Sequence, residues 1–119
     1  MKELDLKKRT KNFALEILKL YSLMPRTTEF QVIGKQFMRS GTSVGAQYRE
    51  GCRAKSSADM ISKFEGALQE LEETQYWLEL LFELQEDYKP HCIPLLNESN
   101  ELIAILTASV RTIKSGNKK

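Results

Sequence analysis

The stretch Arg39-Ser-Gly-Thr-Ser-Val-Gly-Ala-Gln-Tyr-Arg-Glu-Gly51, followed by Cys52-Arg53-Ala-Lys55, carries the side chains most able to do chemistry in this chain. At about 100° per residue, Lys35, Arg39, Thr42, Ala46, Arg49 and Arg53 fall on one helical stripe. Phe30, Ile33, Phe37, Gly41, Val44 and Tyr48 fall roughly opposite. The apolar stripe suits a protein core. The cationic one offers guanidinium and ammonium groups to a phosphate backbone or to acidic side chains. Lys8, Arg9 and Lys11, in a run that begins at Lys7, and Lys55 after the helix add to this store of charge. Lys8, Arg9, Lys11, Lys35, Arg39, Arg49, Arg53 and Lys55 therefore make a candidate surface for structured RNA or DNA, held by backbone contacts with little base reading. The plain alternative is a solubilising surface.

Other chemistries find less support. His91 is the single histidine, and with Cys92 it lacks the further ligands a metal site needs. Adjacent residues rarely face one another as a catalytic pair. Glu50, Cys52 and His91 form no nucleophile–base–orienter set, so no enzymatic activity is expected. No cofactor motif is present. The small-residue segment lacks the Gly-Lys-Ser/Thr ending and the preceding strand of a phosphate-binding loop. Gly41-x-x-x-Gly45 resembles a close-approach helix motif, but Arg39 and Arg49 exclude a membrane setting for it. Two glycines in one helix cost about 1 kcal/mol each relative to alanine. Tight packing on a neighbouring helix would offset that cost.

Positioning these groups requires a scaffold, and 119 residues suffice for one domain with a modest core. A pattern of helical apolar stripes predicts four helices, at about 5–23, 28–51, 57–86 and 94–115. Thr28 is an expected N-cap, and Gly51 an expected left-handed exit. Pro90 and Pro94 bracket an expected loop holding His91, with Pro94 opening the last helix. No segment reads as a strand. Short connections make antiparallel neighbours, so the expected fold is an all-α, up-down-up-down four-helix bundle spanning residues 1–119. No run of about 18 apolar residues marks a membrane span. The N-terminus lacks a secretory signal, so a cytoplasmic protein with two reduced cysteines is expected.

Net charge is +2, but residues 1–56 carry +7 while residues 57–91 carry −7. Glu65, Glu72, Glu79 and Glu86 recur every seven residues as an acidic ridge on the third helix. Such a ridge is either solvated or meets the basic stripe, within one subunit or across two. Trp77, Leu80, Leu81 and Leu84 broaden the apolar stripe of the same helix beyond one seam. Glu65, Glu72, Glu79, Trp77 and Leu81 are accordingly the expected contacts of a homo-oligomer.

The segments Arg39–Gly51, Arg53–Ser56 and Phe64 through Tyr76-Trp77-Leu78-Glu79-Leu80-Leu81 resemble the four-helix-bundle family encoded in intervening sequences of bacterial 23S ribosomal RNA genes, also labelled S23 ribosomal protein. The resemblance spans nearly the whole chain. Gln47 stands where that family commonly has Asn. The chain is also similar to the accessory variability proteins of diversity-generating retroelements. That similarity implies a homopentameric ring whose basic surface binds nucleic acid and a reverse transcriptase, with Arg39, Arg49, Arg53 and Lys55 as the matching cations.

Overall fold

The computed structural model describes residues 5–117. Four helices follow in order: α1 (Leu6–Ser22), α2 (Thr28–Cys52), α3 (Ser57–Leu84) and α4 (Lys89–Asn117). A 3-10 turn at Glu86–Tyr88 joins the last two. No strand occurs among the described residues. No described helix is long and apolar enough to cross a membrane.

Contacts between neighbours set the directions. Tyr21, Ile17 and Thr10 of α1 lie against Gly34, Gly41 and Gly45 of α2, in reverse order along the two helices. Phe64 of α3 meets Gly51 of α2, and Thr74 bonds Ser40 at 2.7 Å. Lys114 of α4 reaches Glu65 of α3, and Ser99 reaches Gln75. Every neighbour is therefore antiparallel, and the fold is an up-down-up-down all-α bundle. It measures 52 × 23 × 20 Å.

Phe13, Ile17, Phe37, Val44, Leu71, Leu78, Leu102 and Leu106 are fully or almost fully buried along its axis. The buried hydroxyls are bonded. Thr10 donates to the Leu6 carbonyl at 2.7 Å, and Ser99 donates to the Leu96 carbonyl at 2.8 Å. Thr74 donates to the Glu70 carbonyl at 2.7 Å, which leaves Ser40 to donate to Thr74. An uncompensated buried hydroxyl would cost about 1–3 kcal/mol.

Glycine lets α2 approach both neighbours. A Cβ on Gly41 would lie 2.9 Å from Ile17, and one on Gly45 would lie 3.0 Å from the Thr10 hydroxyl. Gly51 does not serve as a left-handed exit. No described glycine has positive φ. Gly51 lies inside α2, and its lack of a side chain is what the packing uses, since a Cβ there would stand 2.5 Å from the Phe64 ring.

Other boundaries also differ from the sequence pattern. Thr27, not Thr28, precedes α2, and its side chain makes no cap bond. Ser56 caps α3 by accepting from the Asp59 N–H at 3.1 Å. Helix α3 ends at Leu84, so Glu86 lies outside it. Helix α4 begins at Lys89 rather than Pro94, and the expected 90–94 loop is helical. Pro90 removes an N–H that would lack an acceptor inside the helix. Pro94 deprives only the Pro90 carbonyl of a donor. Burial of Cys92 and Leu95 in the core holds this turn helical.

The glycine contacts yield a test. Gly41→Ala should lower stability by about 1–3 kcal/mol through overpacking, despite the better helix propensity of alanine. Gly116→Ala, with nothing within 4 Å, should be neutral or slightly stabilising. Urea unfolding followed by circular dichroism compares the two.

Candidate nucleic-acid interface

The structure divides the eight expected cations into three groups. Two of them, Arg9 and Arg39, form ion pairs across helix seams. Arg9 on α1 donates through Nε to Glu98 Oε2 at 2.9 Å and through Nη2 to Glu98 Oε1 at 2.6 Å. It also reaches Glu101 at 2.8 Å. The Glu98 hydrogen bonds raise its pKa above the usual arginine range, against an opposing effect of burial. This fork–fork pair ties α1 to α4, so Arg9 is a structural clasp and not a phosphate ligand.

Arg39 is similarly engaged, though half its side chain remains exposed. Its guanidinium bonds Glu73 and stands 3.6 Å from Glu70. Trp77 Nε1 donates to the same Glu73 at 3.1 Å. Glu70 Oε1 is buried without a hydrogen bond, so Arg39 supplies its nearby compensating charge. The basic stripe and the acidic helix thus meet within one chain, but at Glu70 and Glu73 rather than along the seven-residue ridge. Of that ridge, Glu65 takes Lys114, Glu86 takes Lys89, and Glu72 and Glu79 are exposed.

Lys35 is exposed but remote from the others. At 1.5 Å per residue it lies roughly 27 Å along α2 from Arg53. Lys8, Lys11, Arg49, Arg53 and Lys55 remain, and they gather at one end of the bundle. Arg49 Nη2 donates to the Lys7 carbonyl at 3.3 Å, which places the end of α2 beside the first turn of α1. Lys7 joins the group, and the Lys7-Lys8-Arg9-Lys11 run was its sequence signal. Among the described residues, none of these six side chains forms an ion pair.

Local electrostatics favour an anion here. The first turn of α1 holds no acid, yet Lys7, Lys8 and Arg9 sit there. Cations at a helix N-terminus oppose its dipole by about 0.3–1 kcal/mol each. Asp5 at the N-cap offsets part of this, and Glu98 and Glu101 relieve it further for Arg9. Arg49, by contrast, lies favourably in the last turn of α2. Tyr48 does not present a base-stacking face at this end. Its ring stacks on Phe64 at 5.3 Å, and burial, then Cys52, pushes its hydroxyl up to about 12.

Leu81 is wholly buried in the core and cannot be an oligomer contact, contrary to the sequence expectation. Trp77 is partly buried at the α2/α3 seam. Val32, Tyr76, Leu80 and Leu84 are the exposed apolar residues on that side. His91 lies in the first turn of α4, not in a loop. Cys52 and Cys92 are free thiols, and burial pushes Cys92 up to about 11.

The fold is thus an antiparallel helical bundle with a concentration of cations at one end that form no ion pair among the described residues. The profile of the 23S rRNA-intervening sequence protein family matches residues 2–108, and the chain belongs to that family. It is also similar to a crystal structure of a protein of unknown function from the S23 ribosomal protein family of Bacteroides thetaiotaomicron. The two are 37% identical, with a TM-score of 0.85, and the match covers 93% of this chain and 99% of the other. No curated protein matches the chain.

Two measurements check the assignments of this site. Arg9→Met should cost about 2 kcal/mol in urea unfolding, the range for hydrogen bonds to charged groups, while Lys11→Met should change stability by less than about 0.5 kcal/mol. In native protein, an alkylating reagent should label Cys52 and spare Cys92 until the bundle unfolds. Rapid native labelling of Cys92 would contradict its placement.

Proposed function

We propose that this chain is a non-enzymatic, cytoplasmic, self-associating bundle that binds the phosphate backbone of structured RNA or duplex DNA. The contact surface is the end formed by the start of α1 and the end of α2. One observation carries the reading: Lys7, Lys8, Lys11, Arg49, Arg53 and Lys55 collect there without ion pairs among the described residues. Three helix and loop segments supply them, so their spacing is held by the bundle. The α1 dipole adds to the same field. Backbone recognition needs cations and shape rather than base-stacking rings. The family description refers to an intervening sequence of 23S rRNA, which makes a structured RNA the first probe. The resemblance to accessory variability proteins adds a five-membered assembly and a reverse transcriptase partner to the proposal.

The internal pairing of Arg39 favours a second reading, in which the basic residues organise protein contacts and nucleic acid is irrelevant. One experiment separates the two. Fluorescence anisotropy with an RNA hairpin and a DNA duplex should show binding that weakens steeply from 50 to 200 mM salt. Six phosphate contacts would give a log–log slope near about −5 on duplex DNA. The double variant Arg49→Glu/Arg53→Glu should lose at least about tenfold in affinity while retaining helicity and assembly size. Unchanged binding overturns the nucleic-acid reading. Loss of assembly in that variant supports the scaffold.

A further inference from the structure

Helix α1 carries two stripes of the same period. Leu6, Thr10, Phe13, Ile17 and Leu20 recur in steps of four and three and are buried in the bundle. Lys8, Lys11, Leu15, Leu18 and Ser22 recur in steps of three and four on the outward side, and all five are exposed. Leu15 is 44% exposed and Leu18 41%. Alternating steps of three and four are the spacing with which one helix packs on another. The inner stripe has its partners in this chain, whereas the outer one faces away from the described bundle.

Helix α2 borders the outer stripe with charge. Gly34, Gly41 and Gly45 pack on α1, so Lys35, Thr42 and Ala46, each about 100° further round, turn outward along the same flank. Tyr21 packs on Gly34, which sets Lys35 about one turn above Leu18. Thr10 packs on Gly45, which sets Lys11 beside Ala46 and one turn below Leu15. Arg49 is fixed lower still by its bond to the Lys7 carbonyl. The acids of α1 and α2, among the described residues, are Glu16, Glu29 and Glu50. Glu16 turns to the seam with α4, Glu50 pairs with Lys63 at 3.1 Å, and Glu29 lies in the first turn of α2, beyond Lys35. Lys8, Lys11, Lys35 and Arg49 thus flank the two leucines, and none of the four forms an ion pair among the described residues.

We propose that this face docks an acidic amphipathic helix of a different protein. Apolar side chains of the partner cover Leu15 and Leu18. Its carboxylates meet Lys8, Lys11 and Arg49 below the leucines and Lys35 above them. A phosphate backbone gains nothing by covering leucines, and Lys35 stands too far from the basic end to serve the phosphate surface. The three–four period of the stripe selects a helix over an extended segment. Two half-exposed leucines are also a poor match for a bilayer, into which anchoring helices sink roughly 5–10 Å. Lys8, Lys11 and Arg49 belong to the phosphate surface as well, so the partner helix and RNA exclude one another. That competition rests on the proposed function; the docking does not.

The probe is a fluorescent three-heptad peptide with leucine at the first and fourth positions of each heptad and glutamate beside them. Anisotropy at low salt should show it binding the wild-type chain, and a version with glutamine for glutamate binding at least about tenfold more weakly. Leu15→Ser/Leu18→Ser should lower affinity for the peptide at least about tenfold and for an RNA hairpin less than about twofold. Lys35→Glu should do the same, and circular dichroism confirms that these surface variants fold. Unlabelled peptide should displace the hairpin from the wild-type chain. Absence of peptide binding, or binding indifferent to these variants, overturns the docking face. Leucine-dependent binding to phosphatidylserine vesicles in place of the peptide gives the face to a lipid surface and overturns it too. So does a smaller assembly of Leu15→Ser/Leu18→Ser in light scattering, which gives the face to a second copy. Peptide and hairpin bound together overturn the competition. Peptide binding by a chain that binds no RNA upholds the docking and removes the phosphate reading alone.

Discussion

Where α2 passes α1, Gly41 meets Ile17 and Gly45 meets Thr10; where it passes α3, Gly51 meets the Phe64 ring. These contacts leave no room for a methyl group without local movement. Their gain is the close packing of apolar surface on both flanks of one helix, which offsets the low helix propensity of glycine. With both flanks of α2 in contact with neighbours, Lys35, Arg49 and Arg53 face outward. The remaining architecture, and the direction of every cation on α2, follows from that spacing.

Charge is then sorted by geometry rather than by abundance. Arg9 and Arg39 belong to basic runs in the sequence, yet each projects across a helix seam where carboxylates meet it. Their contribution is cohesion between α1 and α4 and between α2 and α3. Lys7, Lys8 and Lys11 project from the start of α1, where no opposing acidic segment reaches them in the described residues. The end of α2 brings Arg49, Arg53 and Lys55 to the same place. Two segments distant in sequence thereby produce one field, to which the N-terminal dipole of α1 adds.

Apolar surface is sorted in the same way. Helix α3 has more large apolar side chains than one seam can bury. Leu78 and Leu81 turn into the core, whereas Leu80 and Leu84 remain outside. Across the bundle, the sparse α1/α4 seam leaves Leu20 and Leu95 lining a groove instead of meeting a flush neighbour. A surplus on one side and a deficit on the other are both consequences of joining four helices of unequal apolar width.

Much of this bundle was legible in the sequence. Apolar spacing located four helices, small residues at Gly41 and Gly45 marked a close approach, and the charge split between the first and middle segments marked a basic region. The last helix was less legible, because Pro90 and Pro94 are local breakers and only burial of Cys92 and Leu95 shows why they remain helical. Gly51 misled for a similar reason: a left-handed exit and a steric gap for Phe64 call for the same residue type. Leu81 and Leu80 are neighbours in one apolar run, and a 100° rotation sends one to the core and the other to solvent. The sequence by itself determined the helical class, the antiparallel order and the supply of cations, since these depend on local periodicity and short connections. Only the tertiary structure decided which cations are paired, because a charge is neutralised by what lies within a few ångströms in space, and Glu98 is eighty-nine residues from Arg9 along the chain.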